Sequence, residues 1–127
     1  QEYIQANQIS SRIKLLFRVK DEERNWLLAN AALFATPSLF EGFGRTPVEA
    51  AICKIPVIST KETSLFEATQ GLCNYVENAT DEKELAELIL NIIENPESEN
   101  KLIKIAQKLE ERYKKENCGK LYLNLFL

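Results

Sequence analysis

Residues Ala35–Pro56 read ATPSLFEGFGRTPVEAAICKIP. An apolar run, Ala31, Ala32, Leu33, Phe34 and Ala35, stops at Thr36-Pro37. A glycine-spaced loop follows, Glu41-Gly42-Phe43-Gly44-Arg45, and Thr46-Pro47-Val48-Glu49 then has the grammar of a helix start. Thr46 is a good N-cap, Pro47 suits the first helical position because its missing N–H is unpaired there anyway, and Glu49 stands where it can close a capping box. Strand, loop and a helix beginning at Pro47 are therefore predicted. The free N–H groups and positive dipole end of such a helix face the loop and attract phosphate. In an α/β sheet this loop lies at the carboxyl end of a strand, where ligands bind.

Working outward, Glu2 to Asn7 has the pattern of a helix tail. A polar turn over Gln8 to Ser11 precedes Ile13-Lys14-Leu15-Leu16-Phe17, a predicted strand. Asp21 can cap a helix through about Asn30, with Trp26 and Leu27 on its buried side. Leu33 to Thr36 is short and apolar, as a buried parallel strand should be. Downstream, Pro56 to Thr60 is a β-branched strand, Ser64-Leu65-Phe66-Glu67 a second capping box opening a short helix that stops at Gly71, and Cys73 to Glu77 the fourth strand. Strands alternating with helices indicate a parallel sheet with right-handed crossovers.

From Asp81 the period is helical only. Leu85, Leu88, Ile89, Ile92 and Ile93 form one stripe ending at Asn95-Pro96; Leu102, Ile105, Ala106, Leu109 and Tyr113 form another on a helix to about Asn117. Both stripes read as core. Gly119 is expected to break the pattern before an apolar segment, Leu121 to Leu127, that has no obvious partner within so small a domain.

With 127 residues, the chain forms one domain at most, and 45% hydrophobic with 28% charged residues is ordinary globular composition. A net charge of -3 without a Lys/Arg cluster argues against nucleic acid as a partner. Cys53, Cys73 and Cys118 are odd in number and far apart, which suggests neither a disulfide framework nor a metal site and fits a reducing cytoplasm. With no histidine, a Ser-His-Asp triad, a Cys-His pair and the usual zinc ligand sets cannot be built from this chain alone. No apolar run has bilayer-spanning length, and the chain opens on Gln1 rather than Met, as a piece of a longer protein would.

Glu41 and Glu49 are separated by seven residues, with Gly-Phe-Gly after the first, Ala after the second and a Pro-Val strand soon afterwards. This block resembles the signature of retaining glycosyltransferases of the GT-B fold, family 4 (glycosyl transferases group 1). The resemblance implies an α/β fold: a Rossmann-like parallel sheet, about four strands here, with flanking helices. Residues 1–127 would be a partial C-terminal nucleotide-sugar-binding domain, with 81–127 its helical C-terminal part. That domain normally opens with two further strands, and with an Arg and a Lys that clamp the donor diphosphate; this chain has neither. In the family the final helix returns across the cleft to the N-terminal half, which would account for an orphan apolar tail.

By the same resemblance, Glu41 contacts donor sugar hydroxyls and is the catalytic-site carboxylate, while Glu49 binds the ribose hydroxyls. Gly42, Phe43, Gly44, Arg45 and Thr46 offer backbone N–H groups to sugar and diphosphate, and the nucleobase lies near Arg18 and Val19. Each has a plainer reading. Glu49 can serve only the capping box, Glu41 can be an exposed loop acid, Phe43 a buried anchor, and Arg45 a solvated cation where many relatives are apolar. Lys54 stands where relatives have Gly, a place that often takes a left-handed cap. Ser64 and Glu67 match a recurring Ser-x-x-Glu element, here read as a helix cap.

The implied activity is transfer of a hexosyl group from a UDP- or GDP-sugar to a glycan or lipid-linked acceptor in cell-surface polysaccharide synthesis. No cofactor or metal is implied, since the nucleotide sugar is a substrate. The acceptor would be held mainly by a missing N-terminal half, which also leaves room for peripheral contact at the inner face of the membrane. Two alternatives stand beside this: a non-catalytic nucleotide-binding or regulatory α/β module, and a response-regulator-like domain. The latter needs an acidic cluster at a strand end, for which Glu41 alone is a poor substitute.

Overall fold

A computed structural model describes residues 2–124. Helix α1 (Glu2–Ala6) and a 3-10 turn (Ser10–Arg12) lead to α2 (Asp21–Asn30). The sheet and its crossovers follow as β1 (Phe34–Thr36), α3 (Arg45–Ile52), β2 (Val57–Thr60), α4 (Leu65–Ala68) and β3 (Asn74–Val76). Helices α5 (Glu82–Glu94), α6 (Glu99–Tyr113) and α7 (Lys115–Leu123) complete the described elements. All strand pairs are parallel in the order β1-β2-β3, with Thr36 opposite Ser59 and Ser59 opposite Tyr75. Among the described residues no helix is long and apolar enough to cross a membrane.

The sheet is covered on both faces, so β2 is buried along its whole length. Val57 points to one side, into a core of Leu28, Ala50, Ala51, Ile55 and Leu109 from α2, α3, the turn after α3, and α6. Its neighbour Ile58 points to the other, packing with Val76 and Ile92 beneath α5. Alternation along one strand thus divides the core in two. The Asp81 carboxylate caps α5 by accepting from the Lys83 and Glu84 N–H groups, and Ser98 caps α6 by accepting from Lys101 N–H. Glu84 in turn accepts from the N–H groups of Glu77 at 2.7 Å and Asn78 at 3.0 Å, tying α5 to the end of β3.

Six expectations are corrected. Among the described residues the sheet has three strands, because Ile13 to Phe17 pairs with none of them: a strand needs a neighbour's backbone to exchange hydrogen bonds with, and Phe17 is left 75% exposed. In α2 the residues turned inward are Arg24 and Leu28, one helical turn apart, while Trp26 is 65% exposed. The cap of α2 is not Asp21; Glu23 accepts from the Lys20 N–H one residue earlier. Helix α6 ends at Tyr113, and Gly119 lies inside α7 rather than breaking the pattern. On α5, Ile93 is 57% exposed and lies outside the buried stripe. Of the apolar tail, the backbone to Leu123 continues α7; residues 125–127 lie outside the described residues.

Ser59 is fully buried in the middle of β2, and its Oγ has no partner among the described residues. A hydroxyl desolvated without a hydrogen bond costs about 1–3 kcal/mol. Ser59→Ala is therefore expected to raise stability by about 1 kcal/mol, read as a higher urea midpoint at unchanged slope. A lower midpoint would mean that the hydroxyl is satisfied in solution.

Candidate functional site at the carboxyl edge of the sheet

β1 ends at Thr36, and residues 37–44 run from the carboxyl edge of the sheet to α3. The junction is Gly44, buried and left-handed at φ 88°. A side chain there would meet Leu65 Cδ2 at 2.7 Å, so glycine is required both by conformation and by space. Because Gly44 turns the chain, the helix starts at Arg45, two residues before Pro47 and ahead of the expected Thr46 cap. No side chain caps it. Pro47 is tolerated there because its N–H would still have no intrahelical acceptor in the first turn. The capping box of Thr46 and Glu49 does not form. Glu49 instead accepts from Arg45 Nη2 at 3.2 Å, one turn away, with its side chain 30% exposed and that of Arg45 77% exposed. So exposed a pair adds at most about 1 kcal/mol, and the carboxylate keeps lone pairs for other donors.

Glu41 is half-buried and held on every side. Its carboxylate Oε1 accepts from Ser38 Oγ at 3.2 Å. Its backbone N–H donates to Thr63 Oγ1 at 3.2 Å, and its carbonyl accepts from Thr63 Oγ1 and Ser64 Oγ, both at 3.1 Å. Thr60 Oγ1 donates to the Ser38 carbonyl at 2.8 Å. Thus the turn after β2 grips the loop after β1. Ser64 does not cap α4, as the local pattern predicts; its hydroxyl is spent on Glu41. Sequence patterns mark neither Thr60 nor Thr63 as a site residue and mark Ser64 only as a helix cap; the one signal is three hydroxyl residues at or just beyond the carboxyl end of the neighbouring strand.

Phe43 is half exposed rather than a buried anchor. Its ring stands edge-on to Tyr113 at 5.8 Å, and Tyr113 Oη donates to the Ala68 carbonyl at 2.7 Å, so α6 buttresses the loop from behind. Gly42 is exposed with nothing within 4 Å of where a Cβ would be, and Arg45 and Thr46 are exposed on the first turn of α3. Gly44, Pro47 and Val48 are buried, so the stretch presents Gly42, Phe43, Arg45 and Thr46 to solvent, with Glu41 and Glu49 partly exposed. Arg18 takes a left-handed φ of 51°, and Val19 lines a hollow of about 390 Å³ with Lys14, Leu16, Trp26 and Leu27. Among the described residues no hydrogen bond or ion pair joins them to the Glu41 loop. Lys54 is likewise left-handed at φ 63°, the conformation expected where glycine usually stands.

At the opposite edge, burial pushes the Cys73 thiol up to about 11, against weaker opposing hydrogen bonds from Thr69 and Tyr75. It is a structural thiol with little nucleophilic thiolate at neutral pH. Among the described residues no group of three His, Cys, Asp or Glu side chains is placed to share a metal.

A parallel sheet covered on both faces, with a glycine-turned loop feeding a helix at its carboxyl edge, defines a doubly wound α/β domain, a class that takes its ligands at that edge. Residues 1–109 match the family model for glycosyl transferases group 1, and the chain belongs to that family. It is 29% identical over 114 residues to the O-antigen chain mannosyltransferase B of Escherichia coli, a match that covers 90% of this chain and 30% of that protein. It is 38% identical over 72 residues to an alpha-1,3/1,6-mannosyltransferase of Dictyostelium discoideum, covering 52% and 17%. The sucrose-phosphate synthase of Thermosynechococcus elongatus superimposes with a TM-score of 0.81 at 23% identity, over 98% of this chain and 33% of that one; this likeness confirms the GT-B type of α/β fold. The chain therefore spans about a third or less of the proteins it resembles.

Proposed function

We propose that this chain is the donor-binding part of a retaining, family 4 glycosyltransferase that moves a hexosyl group from a UDP- or GDP-sugar to a glycan or lipid-linked acceptor, in cell-surface polysaccharide synthesis on the cytoplasmic side of the membrane. One observation carries the reading: Glu41 is fixed through both its backbone groups and its carboxylate, immediately ahead of an α3 first turn whose N–H groups are uncapped. A carboxylate accepts from pairs of sugar hydroxyls, and uncapped N–H groups with the helix dipole stabilise phosphate oxygens. Mannosyltransferases among the relatives agree with a hexosyl donor.

In this reading Glu41 orients the donor sugar as the catalytic carboxylate, and Glu49 takes the ribose hydroxyls. The first-turn N–H groups of α3, Gly42, Phe43, Gly44 and Thr46 line the diphosphate, with Arg45 adding positive charge as the leaving group departs. Arg18 and Val19 lie toward the nucleobase. The reaction is read as metal-independent, the charge being met by dipoles and a guanidinium. Because most of each relative lies outside the matched part, the 127-residue chain alone is expected to bind donor without turning it over.

Calorimetric titration with UDP, GDP, UDP-glucose and GDP-mannose tests the assignment. Glu49→Ala is expected to weaken bare nucleotide and nucleotide sugar alike by about tenfold or more, the loss of hydrogen bonds to a charged acceptor. Glu41→Gln should weaken only the nucleotide sugars. Wild-type chain that binds none of the four, at concentrations up to millimolar, would sink the donor-site reading and favour a scaffold.

A further inference from the structure

Thr63 is a β-branched residue with a left-handed backbone, φ 48°, a conformation that costs free energy glycine would not pay. It is exposed, so no core packing compels it. What the residue does have is a hydroxyl that Glu41 uses twice, as acceptor for its N–H at 3.2 Å and as donor to its carbonyl at 3.1 Å. Ser64 adds a second donor to the same carbonyl at 3.1 Å, which fills both lone pairs. Glu41 lies outside any helix or strand, so these side chains supply what a ladder otherwise would.

The same turn reaches the loop at a second point. Thr60 Oγ1 holds the Ser38 carbonyl at 2.8 Å, and Ser38 Oγ donates to the Glu41 carboxylate at 3.2 Å. The main chain of Glu41 is thereby tied to the turn at Thr63 and Ser64, and its carboxylate, through Ser38, to Thr60 at the end of the buried strand β2 that leads into that turn. A single free rotation about the Glu41 main chain would swing its carboxylate by several ångströms, and a hydroxyl bound to both backbone groups removes that freedom.

We infer that Thr63 is a positioning residue: its hydroxyl latches the Glu41 loop to the turn after β2, so that the carboxylate is preorganised for the hydroxyls of a sugar, and the left-handed strain is retained for that purpose. The inference rests on the donor-site reading for its ligand, while the latch itself can be measured without any ligand.

The experiment combines amide hydrogen exchange at Glu41 with calorimetry on three variants of the 127-residue chain. Thr63→Gly removes both the strain and the hydroxyl. It should keep or raise the melting temperature, yet speed Glu41 amide exchange by tenfold or more and weaken UDP-glucose or GDP-mannose about tenfold, with bare UDP and GDP unchanged. Thr63→Val removes the hydroxyl but keeps the branching, and should show the same losses. Thr63→Ser keeps the hydroxyl and should restore both readouts. A residue of merely structural importance moves melting temperature and every affinity together, and that pattern would overturn the proposal. So would unchanged Glu41 exchange in Thr63→Val. If the wild type binds no nucleotide sugar, the donor-site reading falls and takes the ligand half of the inference with it, while the exchange rates still decide whether the latch exists.

Discussion

Gly44→Ala is expected to destabilise the chain by about 3 kcal/mol and to abolish nucleotide-sugar binding. Two independent costs add. A left-handed residue other than glycine costs about 1–2 kcal/mol. The new methyl would lie 2.7 Å from Leu65 Cδ2, and Leu65 is fully buried, so it cannot yield without moving α4; overpacking of this kind costs about 1–3 kcal/mol. The functional consequence follows from position. Gly44 sets where α3 begins and leads directly into the uncapped N–H groups, so any relaxation of the junction redirects them. Gly42→Ala is the matched control: its Cβ has nothing within 4 Å, and its effect on stability should stay within about 0.5 kcal/mol. Thermal melts of the two variants check this, since about 3 kcal/mol corresponds to a fall of roughly 10 °C in a chain of this size. Equal melting temperatures would show that the junction is not as tight as its geometry implies.

Leu109→Ala is the other change of large effect, at about 3–4 kcal/mol. Leu109 is fully buried on α6 against Ala50 and Ala51 of α3, Ile55, and Val57 of β2, and removing it leaves a cavity between small side chains that have little freedom to close in. Against a typical net stability of about 5–15 kcal/mol the loss is a substantial fraction. It should also be felt at the site. Tyr113, one turn further along the same helix, donates to the Ala68 carbonyl at 2.7 Å and meets the Phe43 ring edge-on at 5.8 Å, so a loosened α6 withdraws the support behind the Glu41–Arg45 loop. Ile93→Ala offers the comparison: the residue is 57% exposed on α5, and about 0.5 kcal/mol is expected. Urea denaturation of both, with the midpoint read at constant slope, separates core from surface. A Leu109→Ala midpoint close to wild type would mean that α6 does not pack on α3 in solution.

The amino-acid sequence alone determined the order of β1, α3, β2, α4 and β3, the parallel class of the sheet, and the two helical stripes of α5 and α6. Each of these is written in short-range periodicity or in a cap such as Asp81, whose carboxylate reaches only two and three residues ahead. The spacing of Glu41 and Glu49 was equally legible, because both residues lie within one stretch of sequence. Tertiary structure decided the rest. Whether Ile13 to Phe17 is a strand depends on a neighbour, and none among the described residues pairs with it. Whether Thr46 caps α3 depends on Gly44, which is left-handed and starts the helix two residues before Pro47. Ser64 carries a local cap pattern, yet its hydroxyl is bound to a carbonyl 23 residues earlier, and Thr63 reaches back 22. Local pattern says what a hydroxyl can bond; only the folded chain, by placing two strand ends side by side, says which partner it finds.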